Sequence, residues 1–420
     1  MKVLVVGSGG REHAIIRALL RSSQVTELLC APGNPGIAAD VECLPVVADD
    51  LGALVELATS RTLDLVVVGP EAPLVGGLVD ALSAAGIPAF GPVAAAARLE
   101  GSKAYAKEVM EAAGVPTGAW STVESVDAGM AAIVGYPAVI KFDGLAAGKG
   151  VVIATDEAAA REALEQFLVE RRFGEGQVVV EEFLEGEELS LLALCDGERA
   201  VPMASAQDYK RIFDGDEGPN TGGMGSYCPV PSVGAERVAE LSAIVHQPIV
   251  DHFAAIGIPF HGVLYAGLMM TADGPKVLEY NTRFGDPETQ AVLPRLRSDL
   301  AELLLAATNA GGLAGRELDW DPRCAVTVVL ASAGYPDSPR LGDPISGLEL
   351  IAAPLELTCA GVADADGALV TAGGRVLNIT ALGETPAAAR AAAYAGVELV
   401  EFDGKQTRSD IALRAEEATQ

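Results

Sequence analysis

Residues 2–7, Lys-Val-Leu-Val-Val-Gly, form a short unbroken apolar run, the pattern of a parallel strand buried on both faces. A Gly-rich turn follows, then a helix from about Glu12 to Arg21. Similar runs recur at Glu27–Ala31 and Leu63–Gly69, with a helical segment around Leu51–Ser60 between them. Strands alternating with helices through short loops predict a doubly wound parallel α/β sheet up to about residue 100.

The pattern then changes. Ser102–Ala113 reads as a helix with Gly114 just past its end. Tyr136–Phe142, Val151–Ala154 and Gln177–Phe183 read as strands, and Asp156–Glu170 as a helix, which together predict a small separate α+β lobe. The stretch Ala206–Pro231 is rich in Gly, Asp, Asn and Pro and reads as a long irregular loop. Val263–Met270 and Lys276–Asn281 are strands joined across Asp273-Gly274, a hairpin turn signal. Strands return at Ala325–Ser332, Leu348–Ile351 and Arg375–Ala381, and a helix at Pro386–Gly396. The chain shows no internal repeat and no low-complexity linker.

Composition narrows the functional classes. A length of 420 residues suggests two to four domains. Half the residues are hydrophobic but only 5% are aromatic, so the cores should be aliphatic. A net charge of −29 repels nucleic-acid phosphates and anionic lipid, so neither is an expected partner. The six cysteines contain no C-x-x-C pair and read as small buried hydrophobes in a reducing compartment. Four histidines without H-E-x-x-H spacing argue against zinc. No secretory leader and no apolar run of about 18 residues is present, which predicts a cytoplasmic protein.

Several motifs carry chemistry. Gly7-Ser8-Gly9-Gly10-Arg11-Glu12 joins the first strand to the first helix, where a phosphate can meet backbone N–H groups. A dinucleotide fingerprint would need glycine where Glu12 stands, which weakens a nicotinamide reading. Pro32–Gly36 and Gly69–Pro73 sit just past other strand ends, and Glu71 can accept from ribose hydroxyls. Each loop alone is equally a tight turn; three on one sheet edge point to a sugar-phosphate site.

Gly144–Gly150 joins two strands rather than a strand and a helix, so it is not a P-loop. With Lys149 inside it and Lys141 before it, it can fold over a triphosphate. The acidic bend at Glu181–Glu188 is either a solvated charge run or a source of carboxylates for a nucleoside. Glu279 and Asn281, two apart on a strand, face one way as hard oxygen ligands suited to Mg²⁺. Arg283 follows, where a cation can stabilise a transferring phosphoryl group. Asp208–Arg211 and Asn220–Gly225 lie in the long loop as candidate cleft linings, or as solvated loop.

Taken together, these stretches resemble the ATP-grasp superfamily and, within it, the phosphoribosylamine–glycine ligase family. The resemblance is carried by GSGGREHA at 7–14, APGNPG at 31–36, VGPEAPLV at 68–75 and LEGSKAYAK at 99–107. It continues through KFDGLAAGKGVVIA at 141–154, EEFLEGEELS at 181–190, QDYKRIFDGDEGPNTGGMGSY at 207–227 and NTRFGDPETQ at 281–290. AGYP at 333–336 and GGRVLNITALG at 373–383 extend it to the tail.

The resemblance implies a substrate-binding α/β domain at 1–101, an ATP-grasp domain at 102–315 with a lid lobe at about 118–190, and a C-terminal α+β domain at 316–420. It implies an ATP- and Mg²⁺- (or Mn²⁺-) dependent ligase joining glycine to 5-phosphoribosylamine, acting as a monomer or weak homo-oligomer. Lys103, Lys141, Gly144, Gly148, Lys149 and Gly150 would hold ATP phosphates. Glu181, Glu182, Phe183 and the backbone at Leu184 would meet adenine, and Glu188 the ribose. Glu279 and Asn281 would bind the metal. Gly9, Gly10, Arg11, Asn34, Pro35, Gly36, Glu71, Asp286 and the loop Asn220, Thr221, Gly222, Gly223 and Gly225 would line the phosphoribosylamine site. Arg283 would face the transferring phosphate, Asp208 the glycine ammonium, with Lys210 beside it. One departure stands out: the strand before Glu279, Val-Leu-Tyr-Ala-Gly-Leu-Met-Met, lacks the carboxylate that many ATP-grasp enzymes place there as a second metal ligand. Either two ligands suffice or another residue completes the shell. The nearest rival is another ATP-grasp ligase of purine precursors.

Overall fold

The computed structural model describes residues 1–146 and 150–419. Its first sheet holds five parallel strands in the order Glu42–Cys43, Glu27–Pro32, Lys2–Gly7, Leu65–Val68, Ala89–Phe90. Val3 and Val5 face one core and Leu4 and Val6 another, which is why the first run shows no polar alternation. From the central strand the chain first fills one side of the sheet, Glu27–Pro32 and Glu42–Cys43, and then crosses to the other, Leu65–Val68 and Ala89–Phe90. The central strand's carboxyl end at Gly7, in register with Pro32, is therefore a topological switch point, the place where such sheets bind ligands.

The lid lobe is a four-stranded antiparallel sheet: Trp120–Val123, Val178–Glu182, Ala138–Phe142, Val151–Ala154. Helices Val126–Ala132 and Glu157–Leu168 pack with it. Ile140 and Phe142 join Val178 and Val180 in the lobe's core. Alternation then puts Val139, Lys141 and Glu181 on the opposite face, toward the cleft. The facing lobe is built on Ala200–Pro202, Glu187–Asp196, His261–Thr271 and Gly274–Asn281. Leu191, Ala193 and Cys195 enter one core, Leu192 and Leu194 another, so this sheet is covered on both sides.

The third large sheet runs Gln207–Asp208, Gly225–Cys228, Cys324–Ala331, Arg375–Gly383, Glu356–Cys359. Its first two strands come from the stretch expected to be irregular. That stretch also forms a small Arg211–Phe213/Glu217–Asn220 ladder. These strands are too short and glycine-rich to show a period, and only their partners reveal them. The sheet also spans the expected domain boundary at 315/316.

Leu348–Leu350, expected as part of a strand, is a single 3₁₀ turn after Gly347, which sits at φ +83°. Leu348 and Ile351, three apart, pack on the core while Leu350 is exposed, a helical spacing rather than an alternating one. The hairpin Val362–Ala365/Ala368–Thr371 escaped the pattern reading although Asp366-Gly367, both at positive φ, is a hairpin turn signal.

Candidate functional site

A cleft of about 1160 Å³ opens between the parallel sheet, the lid lobe, the facing lobe and the C-terminal sheet. Most of the expected residues line it: Gly9, Arg11 and Glu71 from the first domain; Lys103 from the helix that follows it; Lys141, Gly144, Gly150, Glu181, Glu182, Phe183 and Leu184 from the lid side; and Glu188 from the facing lobe. Asp208, Lys210, Asn220, Thr221, Gly222, Glu279, Asn281, Arg283 and Asp286 join them. Gly148 and Lys149 lie outside the described residues.

At the lid end the buried carboxylate of Glu181 bridges two lysines. Lys107 Nζ stands 2.7 Å from Oε2 and Lys141 Nζ 2.9 Å from Oε1. Burial disfavours the charge on Glu181, but Lys141 and Lys107 outweigh it and hold the carboxyl below its usual range. Desolvation lowers Lys107 to about 8. Lys141 also donates to Leu278 O at 3.0 Å and Lys103 to Gly144 O at 2.9 Å, tying the lid to the facing lobe and to helix Lys103–Ala113. Glu181 was expected at adenine; its geometry instead makes it the counter-ion that sets two lysines. Val139, Ile153, Met110 and Met269 supply apolar wall between the lid and the facing sheet. As aliphatic residues in strands and helices they carry no sequence signal of a site.

Glu182 pairs with Lys276 at 2.8 Å, and Glu188, expected at a ribose, pairs with Lys210 at 2.8 Å. Lys210 also stands 4.0 Å from Glu279. Burial would raise the Glu279 carboxyl, yet Lys210, Lys141, Lys103 and Arg283 keep it below the ordinary value, so it stays ionised. An ionised carboxylate with the Asn281 amide two residues on, both facing the cleft, is a donor set that suits Mg²⁺ or Mn²⁺. Gly267 stands directly across from Glu279, so that rung of the neighbouring strand offers no side-chain oxygen.

At the other end Arg283 is gripped by two carboxylates, Glu100 at 3.0 Å and Glu71 at 3.4 Å. Glu100 also accepts from Thr282 N at 2.7 Å, so it sets both the backbone and the side chain beside Asn281. It escaped the sequence reading because it lies at the end of a helix within LEGSKAYAK, away from any charged motif. Asp208 is half-buried, and its buried Oδ1 lacks a hydrogen-bond partner. Burial and the nearby Glu288 push its carboxyl well above the usual range, with Lys210 opposing. Glu288 is itself buried and accepts from Ser190 Oγ at 2.9 Å.

Some expected contacts are otherwise engaged. Glu12 folds back under the glycine turn and accepts from Gly9 N and Arg11 Nε, both at 2.6 Å. The expected anion place at the helix start is thereby filled by the chain's own carboxylate, a capping arrangement. Gly10 is buried; a Cβ there would meet Asn378 Nδ2 at 2.4 Å and Gln290 Nε2 at 2.8 Å, so it serves close packing rather than the cleft wall. Asn34 donates to Ser8 O at 2.8 Å and to Cys359 O at 3.0 Å, and accepts from Ile37 N. It latches the Pro32–Gly36 loop to the C-terminal sheet, and neither Pro35 nor Gly36 is among the described lining residues. Gly223, at φ +107°, lies against Pro287 and Asp208, and Gly225 against Thr327 O; both shape the loop from behind.

The C-terminal sheet adds a residue not foreseen as a site group. Arg375 donates to Asp286 O at 2.8 Å, bonds Gly222 O and stands 3.2 Å from the Asp286 carboxylate. It pins the Asn220–Gly225 loop to the Arg283–Glu288 segment.

Comparison with known proteins fits this three-part cleft. The chain matches the family models for the phosphoribosylglycinamide synthetase N domain over residues 1–100, the ATP-grasp (A) domain over 101–289 and the C domain over 325–414. It is 52% identical to a phosphoribosylamine–glycine ligase of Streptomyces coelicolor and 49% identical to one of Xanthomonas axonopodis pv. citri. Those alignments cover 99% of this chain and 99% and 98% of the relatives. The chain belongs to the phosphoribosylglycinamide synthetase family. A crystal structure of the phosphoribosylamine–glycine ligase of Thermotoga maritima, 36% identical, superposes with a TM-score of 0.83 over 98% of this chain and all of that one. A biotin carboxylase of Campylobacter jejuni, 15% identical with a TM-score of 0.72, shares the fold. Family membership implies use of ATP.

Proposed function

We propose that the protein joins glycine to 5-phosphoribosylamine with ATP, giving glycinamide ribonucleotide, ADP and phosphate. The observation that carries this is one cleft with two chemically different ends. Lysines gather where a triphosphate would lie, and buried carboxyl groups gather where amines would lie.

A glycine carboxylate is a poor electrophile. Its oxygen would attack the γ-phosphorus of ATP, expelling ADP and leaving glycyl phosphate. The amine of phosphoribosylamine would attack the glycyl carbonyl, and phosphate would leave as the amine loses a proton. Lys103 and Lys141 would hold ATP phosphates, with Lys141 oriented by Glu181 and Leu278 O. Glu279 and Asn281 would hold Mg²⁺ or Mn²⁺, which when bound offsets charge on the phosphates. Arg283, fixed by Glu71 and Glu100, would face the transferring phosphoryl group. The ammonium of glycine would supply the counter-charge that the Asp208 carboxyl lacks. Arg11, Glu71, Thr221, Gly222 and Asp286 would border phosphoribosylamine, held in place by Arg375. The protein thus contributes chiefly position and charge.

The test is ADP release with ATP, Mg²⁺, freshly generated phosphoribosylamine and glycine, omitting each in turn. Release that needs both co-substrates, with the mass of glycinamide ribonucleotide appearing, supports the reading. ADP release with another acid in place of glycine would point to a different ligase of purine precursors and overturn it.

A further inference from the structure

Outside the catalytic groups, two thiols sit directly beneath the loops that edge the cleft. Cys30 and Cys43 are in-register partners on adjacent parallel strands, so their side chains leave the sheet on the same face. Paired strands lie about 4.8 Å apart, inside the Cα separation a disulfide tolerates. Both sulfurs crowd one point: a Cβ on Gly33 would meet Cys43 Sγ at 2.3 Å and Cys30 Sγ at 3.4 Å. Gly33 holds φ +69° there, so that point stays free of a side chain. Cys30 is fully buried and Cys43 half-buried, so a small oxidant reaches Cys43 first.

We propose that Cys30 and Cys43 form an oxidation site for hydrogen peroxide that closes to an intramolecular disulfide. The Cys43 thiolate attacks the peroxide, giving a sulfenic acid and one water. The Cys30 sulfur then attacks the Cys43 sulfur and the second oxygen leaves as water. Two thiols are oxidised by two electrons in all, and one peroxide is reduced to two waters. The adjacent Cys30 thiol lowers the Cys43 thiol to about 7, which supplies thiolate near neutral pH.

The bond would alter the loops above it. Cys30 Sγ donates to Gly7 O at 3.3 Å, and Cys43 Sγ lies 4.0 Å from Asn34 O. Oxidation removes both S–H donors and draws the Glu42–Cys43 strand toward Glu27–Pro32. Gly7 and Pro32 line the cleft, and Asn34 latches the Pro32–Gly36 loop to the C-terminal sheet. The site itself stands apart from the reaction proposed above; only its kinetic consequence rests on that reaction.

The experiment treats the full-length protein with hydrogen peroxide, quenches it, counts free thiols and maps linked peptides. The expected result is loss of two thiols, a Cys30–Cys43 peptide, and a roughly tenfold higher KM for phosphoribosylamine with KM for ATP unchanged. Dithiothreitol should reverse all three, and Cys43→Ser should keep its kinetics through peroxide treatment. A full thiol count after treatment, a link through Cys359, or equal sensitivity in Cys43→Ser would overturn the proposal. If no turnover of phosphoribosylamine is found, the peptide map alone decides whether the site exists.

Discussion

The two ends of the cleft use cations in opposite ways. At the lid end Lys107 and Lys141 share one carboxylate, Glu181, while Lys103 bonds a carbonyl. At the other end the arginines have carboxylates of their own: Arg11 has Glu12, Arg375 has Asp286, and Arg283 has both Glu71 and Glu100. Shared counter-ions leave positive field to offer a polyphosphate, whereas matched pairs hold a rigid frame around the reacting groups. Lysine suits the first task as a compact mobile charge, and arginine suits the second as a planar fork fixed at several points.

Four measurements would break or sharpen that contrast. Glu279, between the ends, should matter most: Glu279→Gln removes an ionised oxygen and should lower kcat by roughly a thousandfold. A fall of only a few-fold would move the metal elsewhere. Next, Arg283→Met should lower kcat by roughly a hundredfold, and it leaves Glu71 and Glu100 facing each other unpaired. Glu100→Gln keeps shape but loosens Arg283 and Thr282, and should cost roughly tenfold in kcat with little change in KM for ATP. If KM for ATP rises instead, the arginine end is not a frame separate from the lysine end.

The smallest effect should be a pH dependence confined to the lid end. Lys107 has its pKa lowered to about 8, so above that pH Glu181 loses one counter-ion. KM for ATP should rise severalfold from neutral pH to about pH 9, and Lys107→Met should lack that rise. Stability follows the other sign. The unfolded lysine holds its proton to about 10.5, so between the two values the unfolded chain binds more protons and this group's contribution to stability grows with pH. A melting temperature that falls in that window for wild type alone would contradict the assignment.

The parallel sheet and the hairpin bearing Glu279 and Asn281 were readable because their signals are local. An unbroken apolar run, an alternation of two and an Asp-Gly turn each fit within about ten residues. Lys103, Lys141 and Arg283 were placed at the cleft by residue type and by their order along the chain. Glu100, Lys107, Glu288 and Arg375 were not, because a lone charged residue on a helix or strand has the same pattern whether it meets water or a buried partner. Asn34 and Gly10 erred the other way: they sit in a diagnostic motif, yet their neighbours are Cys359 and Asn378, more than three hundred residues away.

The sequence by itself determined the order of the three units, the buried parallel strands, and which residue types were available for phosphate, metal and amine. Those properties depend on nearest neighbours along the chain. The pairing was decided only by the fold. Glu181 between two lysines, Glu100 behind Arg283, and the strands from 207–228 completing the C-terminal sheet each join segments separated in sequence. Burial and charge balance fix them, and both are properties of the surrounding space rather than of any stretch of chain.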